Sequence, residues 1–457
     1  MLNKYNYTTL FYIFLLSHLI IWTIAPSISN TNLPLDTIEA LAWGSNLSWG
    51  YSKHPPVSAF MVEVVYNFFG NQDWAYYLLS QIFVLVAFIY VWKFANLIFK
   101  NKLYSLCSIF LLEGIYFYNF TTPEFNVNIC QLPFWSLVVY YSWKSINYEK
   151  ISDLLLLGIF MSIGFLTKYL FIYLILSVKI IFILRLIQKK TFKLKLLIPG
   201  TIFILILTPH LVWLFQNDFV TITYAFNRTG IEEMSLINHI YNPFIFLVKQ
   251  LGILIPVIIM LLTFVKIKKI NFYDLKKDKY FLLLINITPI ILIFLTSIIF
   301  GAKIRTMWMT PFYLFTGVFL IQLYKVYLTK KNLKKFFTAF IIFFILSPVS
   351  YLFVSFSNEF KRTDYPGREI SDLVQRRWDK NFVNNISIVV GDEWYAGNLS
   401  YHLNSRPNWY NTIENNLSSV TSNTGVIYVG NPNILKKFCP GVYGTIKPIG
   451  ICMIGAK

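Results

Sequence analysis

Apolar residues run along this chain in long blocks separated by short polar connections. Blocks of roughly 18 or more apolar residues, coiled as helices, match the ~30 Å hydrocarbon core of a bilayer. A membrane β-barrel would instead show alternating segments of ~10 residues. The blocks fall near 8–26, 75–98, 103–119, 128–146, 151–167, 170–187, 197–215, 244–265, 280–300, 306–326 and 335–355. The pattern therefore predicts an α-helical polytopic membrane protein with about 11 transmembrane helices. After residue 356 the apolar runs shorten and Gly, Asn and Pro punctuate them. There the order reads helix 366–382, strand 385–391, helix 393–403, strand 424–430, helix 431–438 and strand 450–455, which is the signature of a small α/β sheet. The expected organisation is a membrane part at 1–355, with its first outer loop at 27–74, and an α/β domain at 356–457.

Composition supports this division. Of 457 residues, 56% are hydrophobic and only 13% charged, whereas a soluble surface needs about a quarter of its residues charged. The net charge of +19 would suggest a nucleic-acid partner in a soluble domain, but its placement says otherwise. Lys and Arg collect in every second connection, at Lys100/Lys102, Lys144/Lys150, Arg185 to Lys195, Lys266 to Lys279 and Lys330 to Lys335, and such connections face the cytoplasm. The N-terminus with Lys4 is then inside. The loops 27–74, 120–127 and 216–243, the turns at Lys168 and Lys303, and the α/β domain then face the outer side of the membrane. The positive charge is a topology signal, and no nucleic-acid partner is expected. The first block is read as an anchor, since it is long for a signal peptide and lacks a clear cleavage site. Cys107 and Cys130 lie within spans and read as packing residues. Cys439 and Cys452 either pair across a terminal hairpin or stand as free thiols.

Ionisable groups at membrane depth are costly, so those gathered at the outer boundary deserve scrutiny. The first outer loop offers Asp36, Glu39, Lys53, His54 and Glu63. Asp36 opens a stretch with Ile38, Leu41, Ala42 and Trp43 at helical spacing, which predicts an amphipathic helix along the membrane surface. Pro55-Pro56 ends that structure and begins the next helix, holding Lys53 and His54 in a rigid turn.

Here a family resemblance becomes specific. An acidic residue after the first span, then Trp43-Gly44, then the G-Y-x-K-H-P-P turn at 50–56, are followed in order by FNVN at 125–128, TKY at 167–169 and PHLVWLFQNDF at 209–219. YAFNRTG at 224–230, RTMWMTP at 305–311, PGRE at 366–369 and GDEWYAGNLSYHLNSRP at 391–407 complete the set. Together they resemble the bacterial branch of glycosyltransferase family 39 and the related PMT- and ArnT-like membrane glycosyltransferases of the GT-C fold. The resemblance implies transfer of a sugar from a polyprenyl-phosphate-sugar donor to an envelope acceptor on the periplasmic face. That acceptor would be lipid A, another glycolipid or glycan, or a protein Ser/Thr, with envelope glycolipid preferred by analogy with aminosugar-transferring relatives. In such enzymes the first-loop acid is the catalytic carboxylate, and Asp36 is the matching position. The family often has Asp-Glu there; this chain has Asp36-Thr37, which leaves Glu39, one turn on, as the substitute second carboxylate.

The chemistry is compatible with the residues. An inverting displacement needs a base for an acceptor hydroxyl, and a phosphate leaving group needs cations rather than a general acid. Lys53, His54, Lys168, Arg228, Lys303 and Arg305 are the candidates for the phosphate. Asn126 and Asn128 are candidates for a sugar hydroxyl. Each has a plainer alternative: Asp36 as a helix N-cap, Glu39 as the polar face of an interfacial helix, the cations as snorkelling anchors and the asparagines as caps. No metal ligands are assigned and no cofactor is required, a divalent metal being left open. His210 reads as a packed residue, and Glu113 as a buried paired acid or a proton-linked group. A membrane transporter or flippase of lipid-linked substrates is the alternative function, although such proteins place their polar groups near the bilayer midplane. A receptor built on the C-terminal domain would give Asp36 no special role.

Overall fold

The computed structural model describes residues 6–230, 235–264, 277–324, 329–358, 360–411 and 424–457. Lys4 and most of the Lys266–Lys279 connection lie outside them. Within the described residues the apolar blocks are helical, as α-helix or as tighter 3₁₀ turns. In chain order the helices are α1 (Tyr7–Ser29), α2 (Leu35–Gly44), α3 (Val57–Phe69), α4 (Asp73–Phe99), α5 (Lys102–Phe110), α6 (Val127–Cys130), α7 (Leu132–Tyr148), α8 (Ile151–Phe165) and α9 (Ile172–Lys189). There follow α10 (Ile198–Gln216), α11 (Val220–Thr229), α12 (Asn238–Leu262), α13 (Lys277–Phe300), α14 (Thr316–Leu323) and α15 (Lys330–Ser357). Among the described residues seven helices are long and apolar enough to cross a membrane, namely α1, α4, α9, α10, α12, α13 and α15. An eighth span results if the turns at Thr306–Tyr313 and α14, bent by 56°, count as one.

The remaining blocks are shorter or broken, each for a local reason. The block at 103–119 leaves α-helix at Phe110 and continues as tight 3₁₀ turns. Gly114 sits there against the backbone of α12, where an added Cβ would lie 2.8 Å from the Val257 nitrogen. Glu113, in the same turns, is buried with one carboxyl oxygen 3.2 Å from the His18 imidazole of α1. The block at 128–146 starts one short turn early, where the Asn126 side chain accepts from the Asn128 and Ile129 N–H groups and caps α6, the usual remedy for orphan N-terminal donors.

Beyond α15 lie α16 (Gly367–Asn381), β1 (Ile386–Val390), α17 (Tyr395–His402), β2 (Asn408–Tyr410), β3 (Gly425–Gly430), α18 (Pro432–Phe438), β4 (Val442–Ile446) and β5 (Ile449–Ile454). The strands form one mixed sheet in the order β2-β1-β3-β5-β4, parallel from β2 to β3 and antiparallel from β3 to β4. Pattern reading reached six of these elements; it missed β2 and β4, which are short and carry little alternation. Cys439 and Cys452 are disulfide-bonded, joining the end of α18 to β5.

The largest departure from expectation is α2. It does not lie open on a membrane surface: every residue from Thr37 to Gly44 is buried. Ile38 and Leu41 join the core of the helical bundle, while Ala42 and Trp43 join the core beneath the sheet. An added Cβ on Gly397 of α17 would stand 3.1 Å from both Ala42 and Ile38. Arg406 fastens the junction, donating to the Leu41 carbonyl at 2.7 Å and to Glu63 of α3 at 2.6 Å. A helix apolar on one face can cover one neighbour; this one has two because its small residues admit a second. Gly114→Ala should lower stability by about 1–3 kcal/mol, because backbone rather than a flexible side chain occupies the space. Thermal unfolding in detergent measures it, and an unchanged midpoint would mean that the turn and α12 are not tightly packed.

Candidate active site

The polar residues singled out in the first outer loop meet at one end of the bundle. A cavity of about 380 Å³ opens there, lined by Asp36, Glu39, Trp43, Lys53, His54, Asn126, Lys168, Tyr173, Tyr224, Arg228 and Trp308, among others. The α2 helix brings Asp36 and Glu39 in on one face, one turn apart. The Pro55-Pro56 turn brings Lys53 and His54, the connection between α8 and α9 brings Lys168, and the last turn of α11 brings Arg228. Apolar groups such as Ile172, Ile304 and Met307 complete the wall.

Within this space the charges are paired but not cancelled. Lys53 donates to Glu39 at 2.7 Å and lies 3.2 Å from Glu393, which stands before α17. Burial outweighs that pairing for Glu39 and pushes its carboxyl up to about 7, while the two carboxylates hold Lys53 above the ordinary lysine value. Lys168 is buried, donates to the Asn128 side-chain oxygen at 2.7 Å and sits 5.0 Å from the centre of the Trp308 ring. Burial pulls it down to about 7. The charge of Asp36 opposes that fall and that of Arg305 adds to it. His54, beside Trp43 and Tyr224, is held near 3 by burial and by Lys168, Lys53 and Arg228, so it is neutral at ordinary pH.

Asp36 has a second acidic neighbour that sequence reading missed. Its own N–H donates to Glu124 at 3.1 Å. Burial raises both carboxyls, and the charge of Asp36 raises Glu124 further, whereas Lys168, Lys53, Arg228 and Arg362 draw Asp36 back down. Like charges in a low-dielectric space cannot both ionise freely, so the two compete for one proton. The signal for Glu124 was its place before the FNVN motif at the outer end of a span; Glu393 likewise lay inside the quoted GDEW segment. The departure from Asp-Glu also gains a structural reason, because the buried Thr37 hydroxyl donates to the Phe125 carbonyl at 3.1 Å. Thr37 thereby ties α2 to the segment carrying Glu124.

Other expected residues are placed differently. Asn126 lines the cavity, but its side-chain oxygen is committed to capping α6. Asn128 reaches the site through Lys168. Lys303 and Arg305 are not among the residues lining the cavity, although Ala302, Ile304 and Met307 beside them are; Lys303 is exposed and contributes a backbone bond to the Thr229 carbonyl. His210 is a packed residue, bonded to the Tyr169 hydroxyl at 2.7 Å and the Trp49 carbonyl at 2.6 Å. Among the described residues no three His, Cys, Asp or Glu side chains gather in a way that could hold a metal ion.

Comparison with known proteins bears on the fold that carries this cavity. The family model described as dolichyl-phosphate-mannose-protein mannosyltransferase matches residues 53–213, a segment that carries Lys53, His54, Glu124 and Lys168. Among solved structures, ArnT from Cupriavidus metallidurans in the apo state matches with a TM-score of 0.64 and 11% identity, covering 98% of each chain. The same protein bound to undecaprenyl phosphate matches with a TM-score of 0.65 and 11% identity, covering 98% of this chain and 97% of that one. No curated protein matches significantly. The chain is thus a multi-pass membrane protein with the GT-C fold. It is PMT- and ArnT-like, as its motifs implied.

Lys168 should titrate near neutrality while Lys53 stays charged beyond the ordinary lysine range. Nuclear magnetic resonance of ¹³C-methylated lysines in the intact protein reads both. Asp36→Asn should move the Lys168 midpoint lower still, because it removes the charge that opposes the fall; an unmoved midpoint would separate the two residues.

Proposed function

We propose that this protein transfers a sugar from a polyprenyl-phosphate-sugar donor to an envelope acceptor at the periplasmic face of a bacterial inner membrane. The observation that carries the reading is the single cavity in which Asp36, with Glu39 and Glu124 near it, faces Lys53, Lys168 and Arg228 inside a GT-C fold. The ArnT structure with undecaprenyl phosphate supports a polyprenyl carrier. We assign residues 1–355 to catalysis, with the first outer loop at 27–74, and 356–457 to a periplasmic domain that packs on α2. Lipid A or a related glycolipid is the favoured acceptor, ahead of protein Ser/Thr.

In this scheme the acceptor oxygen attacks the anomeric carbon as the bond to the donor phosphate breaks, with inversion. Asp36 takes the hydroxyl proton, and the departing phosphate gains negative charge beside Lys168, Arg228 and Lys53. Interactions that strengthen as charge develops lower the barrier. Donor binding also prepares the base: a phosphate that engages the cations weakens the field that draws Asp36 down, so its proton affinity rises. If the acceptor is itself a phosphate, no base is needed, and Asp36 positions it instead. A transporter or flippase fits less well, since the charged groups gather at one end of the bundle beneath the sheet.

Asp36→Asn should cut transfer by about 10²–10⁴-fold in folded protein, measured by mass spectrometry of lipid A and envelope glycans in a complemented deletion strain. Near-normal product would reduce Asp36 to a structural role. Because Lys168 is charged below pH 7 and neutral above, kcat/KM for the donor should fall as pH rises through about 7. At saturating donor the limb in kcat should lie higher, since bound phosphate stabilises the ammonium. Lys168→Arg should remove the limb altogether. Lys168→Ala and Arg228→Ala should impair turnover as well as donor affinity, and Arg305→Ala should impair both less, as it stands back from the wall. Equal losses in all three would return Arg305 to the phosphate site. An alkaline phosphatase fusion after residue 356 should be active; an inactive one in stable protein would invert the topology.

A further inference from the structure

The opposite end of the bundle carries a second polar constellation that sugar transfer does not use. Lys168 precedes α9 and Arg185 lies near its C-terminal end, 17 residues apart in sequence, which places them roughly 25 Å from one another along the helix. Arg185 borders a recess of about 20 Å³ between the ends of α7 and α9 and the turn before α10, which also contains Ser145 and Thr191. One oxygen-sized atom fills such a space. The Arg185 Nε is buried without a partner, and so is the hydroxyl of the wholly buried Ser145. A buried guanidinium N–H left without an acceptor is costly, and an anion would relieve it.

The rim is built rather than loose. Glu149, at the C-cap of α7, gathers Lys189 at 2.5 Å, Lys193 at 2.6 Å and Lys195 at 3.5 Å, and its carbonyl accepts from Lys195 at 2.7 Å. One carboxylate thus organises three ammonium groups around the recess, and with Arg185 the charge stays positive. Beside the cations Ile183, Ile187, Phe192 and Leu194 are exposed. A soluble anion would meet water at such a site. Here an apolar surface continues from the cationic rim, as an acyl chain requires.

We propose that this recess binds the headgroup of an anionic phospholipid. One phosphate oxygen enters toward Arg185 and Ser145, the rest of the headgroup lies over Lys189 and Lys193, and the acyl chains run along the exposed side chains of α9. On the topology above, this is the cytoplasmic leaflet, where anionic lipids attract basic clefts between spans. The site is independent of the sugar-transfer reading.

The test is native mass spectrometry of the full-length protein in non-ionic detergent, titrated with phosphatidylglycerol, phosphatidylcholine or inorganic phosphate. Phosphatidylglycerol should bind about tenfold more tightly than phosphatidylcholine, and Arg185→Gln should remove that preference, the change expected from one charge-assisted hydrogen bond. Arg185→Lys should keep part of it, and Ser145→Ala, which deletes a single oxygen and leaves the fold intact, should weaken it about threefold. Millimolar phosphate should not displace the lipid. Equal binding of the two lipids, unchanged preference in both Arg185→Lys and Ser145→Ala, or displacement by phosphate alone, which would mark a site for soluble anions, would each overturn the proposal.

Discussion

Burial of the two carboxylates of α2 is the constraint on which the functional end of this molecule depends. A carboxylate in water is nearly indifferent to a lysine several ångströms away; removed from water it feels every neighbouring charge. Glu39 is buried and Asp36 half-buried because α2 is covered on one side by the helical bundle and on the other by the sheet unit. That cover brings Glu393 to Lys53 and lets Arg406 lock α2 to α3. The C-terminal unit therefore helps set the proton affinities of the cavity, through Glu393 and Arg362, without lining it.

The same burial explains why the cavity needs so many cations. Asp36 and Glu124 press protons onto one another, while Lys53, Lys168 and Arg228 oppose that pressure. Lys168 in turn is held near neutrality, so the balance is close on both sides. A close balance suits the proposed transfer, in which a phosphate would be accepted and later released with more charge. Neither partner is locked in a pair too strong for a ligand to enter.

Much of this was legible in the chain. Apolar blocks of bilayer length and the spacing of basic connections follow from local physics: backbone groups in hydrocarbon must be satisfied within a segment, and that forces helix wherever the block lies. The Pro55-Pro56 turn, the caps and most elements of the sheet unit are likewise short-range. Glu124 and Glu393 were not legible as site residues, because each is distant in sequence from Asp36 and Lys53 and nothing local marks an acid that a distant helix will meet. Lys303 and Arg305 illustrate the converse: cations in a short turn look suited to phosphate, yet along that stretch it is Ala302, Ile304 and Met307 that face the cavity.

Sequence alone thus determined the class of molecule, its helical segments and the first-loop motif carrying Asp36, since all three rest on patterns within a few helical turns. Tertiary structure decided that α2 is enclosed rather than interfacial, that Thr37 ties it to the Phe125 carbonyl, and that Lys168 is poised near pH 7. These depend on which surfaces exclude water from one another, and desolvation is a property of the assembled packing rather than of any single stretch of chain.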